Sequence, residues 1–510
     1  MNVKESPTVA DRGGSPLLAR LERHAGMLRV VALLAFVVLC LTLAMTRPPQ
    51  SDEGHFASAG AAIASRGQFV MPMWTPWIPT LDVRVYSNMP LYFLTLGAWF
   101  KAFGVSWLSM RALSVVFGLV LVVSLASVLR TVSRDRVTAL VGLVVVAINY
   151  DVINFSSARY DIMTAALSAA ALAVYLRVRE RSLHRALLFA SALMAAACMT
   201  HPYALFGMVG LAIFVLALDA RRLRFSHVGI AAVPYLVALA AWGAYIMVDP
   251  EMFRAQFSEN ARGRASGSLN PFSILKSEFV DRYLDKFAGW GRGNVPLAMR
   301  VKILLLMAYA VGVAGCLMVS RIRRTPASRA LAVNTIAVVL LLAIVDRTRW
   351  YIYLIYTIPL LATCLGLLAG DQLREGGWRQ RAVLGGLAAF VLFTVASVGY
   401  RARLDIHHRA FLPATRYLQS QVKPGQLVMA GGEFGLGLGF ERHVLDDPLL
   451  GARNGRTPDY IVQSTTGQGG LRLPNSDEGQ YPPDFARVLI NYRPVFESGA
   501  GGTRYVVYAR

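Results

Sequence analysis

Residues 27–56 read MLRVVALLAFVVLCLTLAMTRPPQSDEGHF and join a long apolar run to an acidic polar segment. The apolar run, 27–45, contains a single charged residue, Arg29, and is long enough to cross the hydrocarbon core of a bilayer. It is followed by TRPP instead of the small residues of a cleavage site, so we interpret it as a retained membrane anchor. The sequence therefore places two adjacent carboxylates, Asp52 and Glu53, directly after a membrane span.

The rest of the chain repeats this alternation of apolar blocks and short polar segments. Of its 510 residues, 55% are hydrophobic and only 16% are charged, whereas a soluble domain has about a quarter of its residues charged. The predicted fold class is an all-α polytopic membrane protein with about eleven transmembrane helices. We expect these spans at roughly 27–45, 107–129, 137–155, 162–176, 186–199, 203–218, 228–248, 301–319, 330–345, 352–369 and 382–399.

The positive charge of the chain is concentrated in alternate loops. Arginines cluster in the segments 130–136, 177–185, 221–224, 321–329 and 374–381. Because basic residues accumulate in cytoplasmic loops, we place these loops and the N-terminal tail, 1–26, in the cytoplasm. The C-terminus is then periplasmic. The net charge of +22 is explained by this topology, so nucleic acid is not an expected partner.

The remaining polar segments face outward in this topology. The transmembrane module, 27–399, has two long outer loops, 46–106 and 249–300. The apolar stretch 89–103 carries Lys101 and aromatic residues, and we expect it to lie as a helix in the outer membrane interface. The tail 400–510 is long enough for a small α/β domain, with a helix at 413–422 and strands at 426–430, 460–463 and 504–508.

The sizes of the loops restrict where any chemistry can occur. The cytoplasmic loops are too short to fold a catalytic domain or bind a nucleotide sugar. An active site would therefore lie on the outer face, where ATP and nucleotide sugars are absent. A lipid-borne donor fits that location, with membrane lipids as neighbours.

The acidic pair after the first span has two interpretations. Ser51 or Asp52 can cap a helix that begins there, since acids are favoured at a helix N-terminus. Alternatively, Asp52 is a general base at the membrane surface that takes a proton from an acceptor hydroxyl.

The segment Asp52-Glu53-Gly54-His55-Phe56 resembles the Asp-Glu signature of the protein O-mannosyltransferases and aminoarabinose transferases. These are GT-C fold enzymes that use polyprenyl-phosphate sugars. The similarity continues in the segments 67–72, 88–93 and 103–111, recurs at Ala158-Arg159-Tyr160-Asp161, and is weaker at 351–359. It covers roughly the first 220 residues, and the rest of the chain matches in layout only.

The resemblance implies a glycosyltransferase with a polyprenyl-phosphate sugar donor and a lipid, glycan or protein acceptor. Asp52 would be the base of a single inverting displacement, and Glu53 would bind acceptor or order the loop. Asp161 would line the cavity, and Arg159 would orient it or meet the carrier phosphate. His55 and Tyr160 are further candidates for substrate binding. An interfacial ion pair between Arg159 and Asp161 that caps the fourth span is the structural alternative.

One segment departs from the family pattern. Relatives of the aminoarabinose-transferase type carry a lysine-glycine pair after the fifth span, thought to hold the lipid phosphate, where this chain has Thr200-His201-Pro202. His201 can donate to a phosphate but is not a fixed cation. Arg347 and Arg349 face outward against the general charge trend, so we predict that they meet the carrier phosphate. The alternative is that they extend toward lipid headgroups.

Other motifs and functions were weighed against this hypothesis. The segment 431–437, GGEFGLG, follows a predicted strand, and we interpret it as a structural loop instead of a phosphate-binding one. His407-His408 alone does not define a metal site, and a divalent cation stays possible. A lipid or glycan flippase is the rival function, although the predicted spans are nearly free of the mid-bilayer charges that transporters use. The sequence identifies neither the sugar nor the acceptor.

Overall fold

The structure is a computed structural model that describes residues 16–156, 159–265, 270–290, 297–440, 443–452, 455–465 and 487–510. The α-helices are α1 (Pro16–Thr46), α2 (Ser51–Arg66), α3 (Leu91–Phe103), α4 (Trp107–Ser133), α5 (Arg136–Ala147), α6 (Tyr150–Phe155), α7 (Tyr160–Val178), α8 (Leu183–Cys198), α9 (Ala204–Asp219), α10 (Phe225–Ile246), α11 (Pro250–Ala265), α12 (Pro271–Ser277), α13 (Leu297–Arg300), α14 (Lys302–Met318), α15 (Ser320–Arg323), α16 (Pro326–Val345), α17 (Ile358–Arg374), α18 (Gly377–Leu404), α19 (Leu412–Gln421) and α20 (Glu433–Leu438). Short 3₁₀ turns cover Pro72–Trp74, Ala220–Arg222 and Tyr351–Tyr356, and π-helical turns cover Glu278–Phe287 and His407–Phe411.

The helices confirm the prediction of a polytopic membrane protein. Within the described residues, eight helical segments are long and apolar enough to cross a membrane, counting α9 together with the turn after it and α17 together with the turn before it. The shorter apolar helices α5, α8 and α14 coincide with the three remaining predicted spans. Two large apolar clusters hold the bundle together, one centred on α1, α5 and α17 and one on α7, α8 and α16.

Some helix boundaries differ from the predicted ones. Helix α1 begins at Pro16, inside the predicted tail, whose residues 1–15 lie outside the described part of the chain. The predicted span 137–155 is interrupted because the Asn149 side chain caps α6, accepting hydrogen bonds from the backbone N–H of Asp151 at 3.0 Å and Val152 at 3.3 Å. Helix α18 continues to Leu404, past the predicted domain boundary at 400.

Capping residues in the sequence set several helix starts. Ser106 accepts a hydrogen bond from the backbone N–H of Ser109 at 3.1 Å and begins α4. Asp135 accepts one from Thr138 at 2.6 Å and begins α5. Side-chain oxygens at these positions satisfy N–H groups that have no partner within the helix. The loops between spans can therefore be only a few residues long.

Charged residues collect at the two ends of the bundle. At one end, Arg374 pairs with Asp135 and with Glu22, and Arg179 pairs with Asp219. These contacts join loops that the charge pattern assigned to a single side. The acids and arginines after α1, before α7 and before α17 lie at the other end. Which end faces the cytoplasm stays a prediction of the positive-inside rule.

The first outer loop folds as a compact helical unit. Phe56 of α2 packs edge-on against Tyr92 and Phe93 of α3, with ring centroids 6.2 and 5.7 Å apart. Helix α3 exposes Leu94 and Phe103. A buried aromatic face opposite an exposed apolar one is the arrangement expected of a helix in the membrane interface.

The C-terminal segment forms a small mixed sheet. Its strands are β1 (Leu427–Met429), β2 (His443–Leu445), β3 (Tyr460–Ser464), β4 (Arg493–Ala500) and β5 (Thr503–Ala509), in the order β2-β1-β3-β5-β4. Strand β1 is parallel to both of its neighbours, and β5 is antiparallel to both of its own. Met73 of the first outer loop packs in the same apolar cluster as Phe411 and Phe434. The sheet is thereby attached to the segment that follows the acidic pair.

Candidate active site

Helix α2 begins at Ser51, one residue after the pair Pro48-Pro49, and carries both acids in its first turn. Gln50, the residue before the helix, provides no side-chain cap. The carboxylates therefore lie at the positive end of the helix dipole, where negative charge is favoured. Ser51 does not cap the helix either, since it is the first helical residue and its hydroxyl donates to Asp446 Oδ2 at 2.5 Å. The two acids therefore interact favourably with the dipole of α2, as the capping interpretation predicted. The side-chain capping hydrogen bond that it also predicted is not formed.

Arg159 brings two of the three predicted active-site acids, Asp52 and Asp161, together. Its Nη1 donates to Asp52 Oδ2, and its Nε donates to Asp161 Oδ2 at 3.0 Å. Arg159 is the residue before α7, and its side chain is buried. Burial alone would lower the pKa of Arg159, but the charges of Asp52 and Asp161 raise it well above its ordinary value. The guanidinium is therefore a permanent cation between two carboxylates.

The acids differ in exposure. The side chain of Asp52 is 17% exposed, whereas that of Asp161 is 3% exposed and that of Glu53 is fully buried. Asp52 lines a pocket of about 510 Å³, whose walls include Arg159, Tyr351, Arg401 and Glu433. A substrate in this pocket can reach Asp52 but not Glu53.

Glu53 holds the start of α2 in place. Its Oε2 accepts hydrogen bonds from Arg111 Nη2 at 2.8 Å and Nε at 3.0 Å, and its Oε1 accepts one from Arg47. Arg111 is itself buried and donates to the backbone carbonyl of Ala44 at the end of α1. Of the two predicted roles for Glu53, these contacts favour ordering of the loop. Arg47 and Arg111 were not predicted, although a buried arginine in an apolar helix such as α4 is a recognisable signal.

His201 and Tyr160 form a second layer behind Asp161. The rings of Tyr160 and His201 stack with centroids 4.6 Å apart. The hydroxyl of Tyr356 donates to Asp161 Oδ1 at 3.2 Å and lies 3.5 Å from His201 Nδ1. His201 Nδ1 accepts the backbone N–H of Tyr203 at 3.1 Å. These contacts orient Asp161. His201 is not among the residues that line the pocket around Asp52.

His55 points toward the C-terminal sheet. Its Nε2 lies 3.0 Å from Asp446 Oδ2, and its ring stacks on Trp74 at 4.8 Å. Burial would raise the pKa of Asp446, but the hydrogen bonds from His55 and Ser51 hold it below its ordinary value. The structure thus places His55 at a contact between the first outer loop and the C-terminal segment, and its role in substrate binding stays an untested prediction.

Arg347 and Arg349 lie outside the walls of this pocket. Arg349 is buried, pairs with Glu278 at 3.1 Å and donates to the carbonyl of Ala343 at 2.7 Å. It thereby connects the second outer loop to the turn after α16. The predicted contact of these arginines with a carrier phosphate is therefore not supported by their positions, whereas Arg401, which the sequence analysis did not single out, lines the pocket.

A further buried cluster supports the pocket wall. Lys302 Nζ lies 2.5 Å from Asp151 Oδ1, and the hydroxyl of Tyr351 donates to the same oxygen. Tyr351 also faces the pocket, so the cluster fixes one of its walls. Among the residues that the structure describes, no three His, Cys, Asp or Glu side chains are grouped as ligands for a metal ion.

Comparison with known proteins identifies the fold. The sequence matches no protein-family model and no curated protein at a significant level. The structure is similar to that of ArnT from Cupriavidus metallidurans bound to undecaprenyl phosphate, with a TM-score of 0.58, 15% identity, and coverage of 94% of this chain and 97% of ArnT. It is also similar to the oligosaccharyltransferase of Archaeoglobus fulgidus in complex with Zn and sulfate, with a TM-score of 0.52, 12% identity, and coverage of 92% of this chain and 73% of that one.

The same oligosaccharyltransferase tethered to an acceptor peptide matches with a TM-score of 0.52 and 12% identity, over 93% of this chain and 74% of that one. The matched regions include both the helical bundle and most of the C-terminal segment, since they cover nearly the whole chain. The expected GT-C-like architecture is confirmed, and the protein has the GT-C fold.

Proposed function

We propose that this protein transfers a sugar from a polyprenyl-phosphate donor to an acceptor hydroxyl or amide at the periplasmic face of a bacterial inner membrane. The observation that carries the proposal is the position of Asp52. Its carboxylate faces the pocket, and Arg159 fixes it against Asp161. A partly exposed acid that is oriented by a buried cation, at one end of a membrane helix bundle, suits a general base better than a structural ion pair.

The proposed reaction is a single displacement. The acceptor oxygen or nitrogen attacks the anomeric carbon, Asp52 takes the proton that the acceptor loses, and the bond from carbon to phosphate oxygen breaks. The phosphate leaves with its polyprenyl tail, and the anomeric configuration is inverted. Because Asp52 Oδ2 accepts the hydrogen bond from Arg159, Oδ1 is the oxygen left for the proton. A phosphate leaves without the second acid that glycoside hydrolysis needs.

The cations of the pocket match the charge of the donor. Arg47 is paired with Glu53, and Arg159 is paired with Asp52 and Asp161. Arg401 is exposed at the end of α18, and no described acidic side chain pairs with it. Among the described residues that line the pocket, Arg401 is the cation without an acidic partner, and it can balance the single negative charge of a phosphodiester. Cations close to the departing phosphate stabilise this kind of leaving group.

The structural comparisons support the class of donor. The solved ArnT structure contains undecaprenyl phosphate, and the oligosaccharyltransferase structure contains a tethered acceptor peptide. At sequence identities of 15% and 12%, these similarities indicate the fold and do not identify the sugar. The acceptor therefore stays open among lipid, glycan and protein, as does the choice between hexose and pentose.

A product-based experiment tests this function. Mass analysis of cell-envelope glycans after deletion of the gene would identify the modification that is lost. Purified full-length protein in proteoliposomes would then be given the corresponding polyprenyl-phosphate sugar and acceptor. The proposal requires consumption of the donor together with modification of the acceptor. Movement of lipid across the bilayer without any chemical change would support the flippase and overturn it.

A further inference from the structure

The C-terminal segment reaches the proposed active site through one glycine-rich loop. The backbone N–H of Gly432 donates to Ser51 Oγ at 3.0 Å and to Asp446 Oδ2 at 2.9 Å. A Cβ atom on Gly54 would lie 1.7 Å from the carbonyl oxygen of Gly432. The segment that begins at Asp52 and the loop at Gly431–Glu433 therefore fit together only because both contain glycine where they cross.

Glu433 is buried beneath this crossing, and one of its oxygens has no partner. The side chain folds over Gly431, where a Cβ atom would lie 2.3 Å from Glu433 Oε2. Oε2 has no hydrogen-bond partner within the described part of the chain. Glu433 nevertheless lines the pocket that contains Asp52 and Arg401. A buried polar atom without a hydrogen-bond partner costs free energy. A ligand that occupies this pocket and forms a hydrogen bond with Glu433 would remove that cost.

The surroundings of Glu433 favour its uncharged form. Burial, assisted by the charges of Asp446 and Glu53, raises the pKa of Glu433 to about 8. At neutral pH the carboxyl group therefore has a proton to donate and no charge to repel an anion. The other charged or titratable groups of the pocket and its rim are Arg47, Asp52, His55, Tyr150, Arg159, Tyr351 and Arg401.

We propose that the Gly431–Glu433 loop is part of the donor site and that the Glu433 carboxyl group donates a hydrogen bond to the phosphate of the lipid carrier. This inference rests on the proposed function, because it assumes that the pocket receives a polyprenyl phosphate. Arg401 supplies the charge that attracts the phosphate, and Glu433 supplies a directed donor from the start of α20 in the C-terminal segment. The C-terminal segment is then a component of the active site as well as a periplasmic appendage.

Binding of undecaprenyl phosphate to the full-length protein in detergent tests this directly. The dissociation constant would be measured between pH 6.5 and 9 for the wild type, Glu433→Gln and Glu433→Ala. Glu497→Gln is the matched control, because Glu497 is an exposed acid of β4 that pairs with Arg504 away from the pocket. Because this variant keeps Glu433, it should follow the pH profile of the wild type, and it reports any effect of removing a carboxylate elsewhere on the protein.

The wild type and Glu497→Gln are both expected to lose about tenfold in affinity, relative to Glu433→Gln, as pH rises through 8, since a hydrogen bond to a charged group is replaced by repulsion. Glu433→Gln keeps a donor and cannot ionise, so its affinity should stay flat above pH 8. Glu433→Ala should bind weakly throughout.

Identical pH profiles for the wild type and Glu433→Gln would overturn the inference while leaving the proposed function intact. Failure of the wild type to bind undecaprenyl phosphate at any pH would instead count against the proposed function. If Glu433→Ala does not fold, the comparison between the wild type and Glu433→Gln still decides the matter.

Discussion

Asp52 and Asp161 share one buried guanidinium, that of Arg159, although they lie on helices that are far apart in the sequence. The arrangement keeps two carboxylates close together without leaving either one unpaired. It also gives each acid a distinct place, since Asp52 faces the pocket and Asp161 is enclosed by Tyr356. Arg159 is therefore the residue on which the geometry of the site depends most.

Replacing Arg159 by alanine should lower both stability and activity. Removal of one partner from a buried ion pair leaves uncompensated charge and costs about 3–5 kcal/mol. We expect a clearly lower thermal unfolding temperature in detergent and a loss of transfer of about 100-fold or more. Arg66→Ala is the control, because Arg66 is exposed at the end of α2. If Arg159→Ala were as stable as Arg66→Ala, the ion pairs of Arg159 with Asp52 and Asp161 would not be maintained in the membrane protein.

Replacing Gly54 by alanine should separate the C-terminal segment from α2. The added methyl group would meet the Gly432 carbonyl at 1.7 Å, so the two segments must move apart. Transfer should fall strongly, and limited proteolysis should cleave the C-terminal segment faster than in the wild type. Gly243→Ala, in α10, is the control because no atom lies within 4 Å of its added carbon. Equal proteolysis of both variants would mean that the crossing at Gly54 does not hold the segments together.

The sequence predicted the layout of the chain better than the details of the site. Arginine-rich loops and apolar blocks were sufficient to locate the eight helical segments of the described residues that are long enough to cross a membrane, together with three shorter apolar helices. The reason is that the bilayer imposes length and charge rules that are local in sequence. The break at Asn149 was missed because a single side-chain cap decides it. Strand β4 was also missed, although the Gly501-Gly502 turn that precedes β5 is a typical hairpin signal.

Within the site, the residues adjacent in sequence to a recognised motif were the ones correctly brought together. Asp52, Arg159 and Asp161 meet as expected, because both motifs immediately precede or begin helices at the same end of the bundle. Arg401 comes from a segment with no such motif, and Glu433 comes from the segment 431–437, which was interpreted as a structural loop. Only the folded chain shows that the two residues line the same pocket. Long-range contacts of this kind leave no periodic pattern in a single sequence.

The Glu433→Gln variant should be more stable than the wild type at alkaline pH. Burial raises the pKa of Glu433 from an ordinary 4.5 to about 8, so the unfolded chain releases this proton at a lower pH than the folded chain does. The stabilising effect of the proton is complete below pH 4.5 and is lost as pH rises toward 8. At pH 7 the free energy of unfolding of the wild type has fallen by at most about 3 kcal/mol relative to its value below pH 4.5.

Thermal unfolding of both proteins between pH 5 and pH 8.5 measures this effect. The unfolding temperature of the wild type should fall relative to that of Glu433→Gln as pH rises. A gap that is constant across this range would indicate that Glu433 is ionised in the folded protein at all of these pH values.

Replacing Arg401 by alanine should weaken binding of undecaprenyl phosphate without unfolding the protein. The side chain is exposed and makes no ion pair with any described residue, so its loss removes only an attraction for the ligand. A charge-assisted contact of this type corresponds to roughly a tenfold change in the dissociation constant. Arg403→Ala is the control, because Arg403 is also exposed near the end of α18 but does not line the pocket. Equal affinities for the two variants would exclude Arg401 from the phosphate site.

Transfer by Asp52→Asn, compared with transfer by Asp82→Asn, tests the account most directly. Asp82 is an exposed acid of the same outer loop and lies outside the Asp52 pocket. Both proteins would be reconstituted with the donor and acceptor that envelope analysis identifies, and product would be measured by mass spectrometry. We expect Asp82→Asn to retain wild-type activity and Asp52→Asn to fold normally but lose about 100-fold or more of its rate, the contribution of a general base. Undiminished transfer by Asp52→Asn would contradict the assignment of Asp52 as the base.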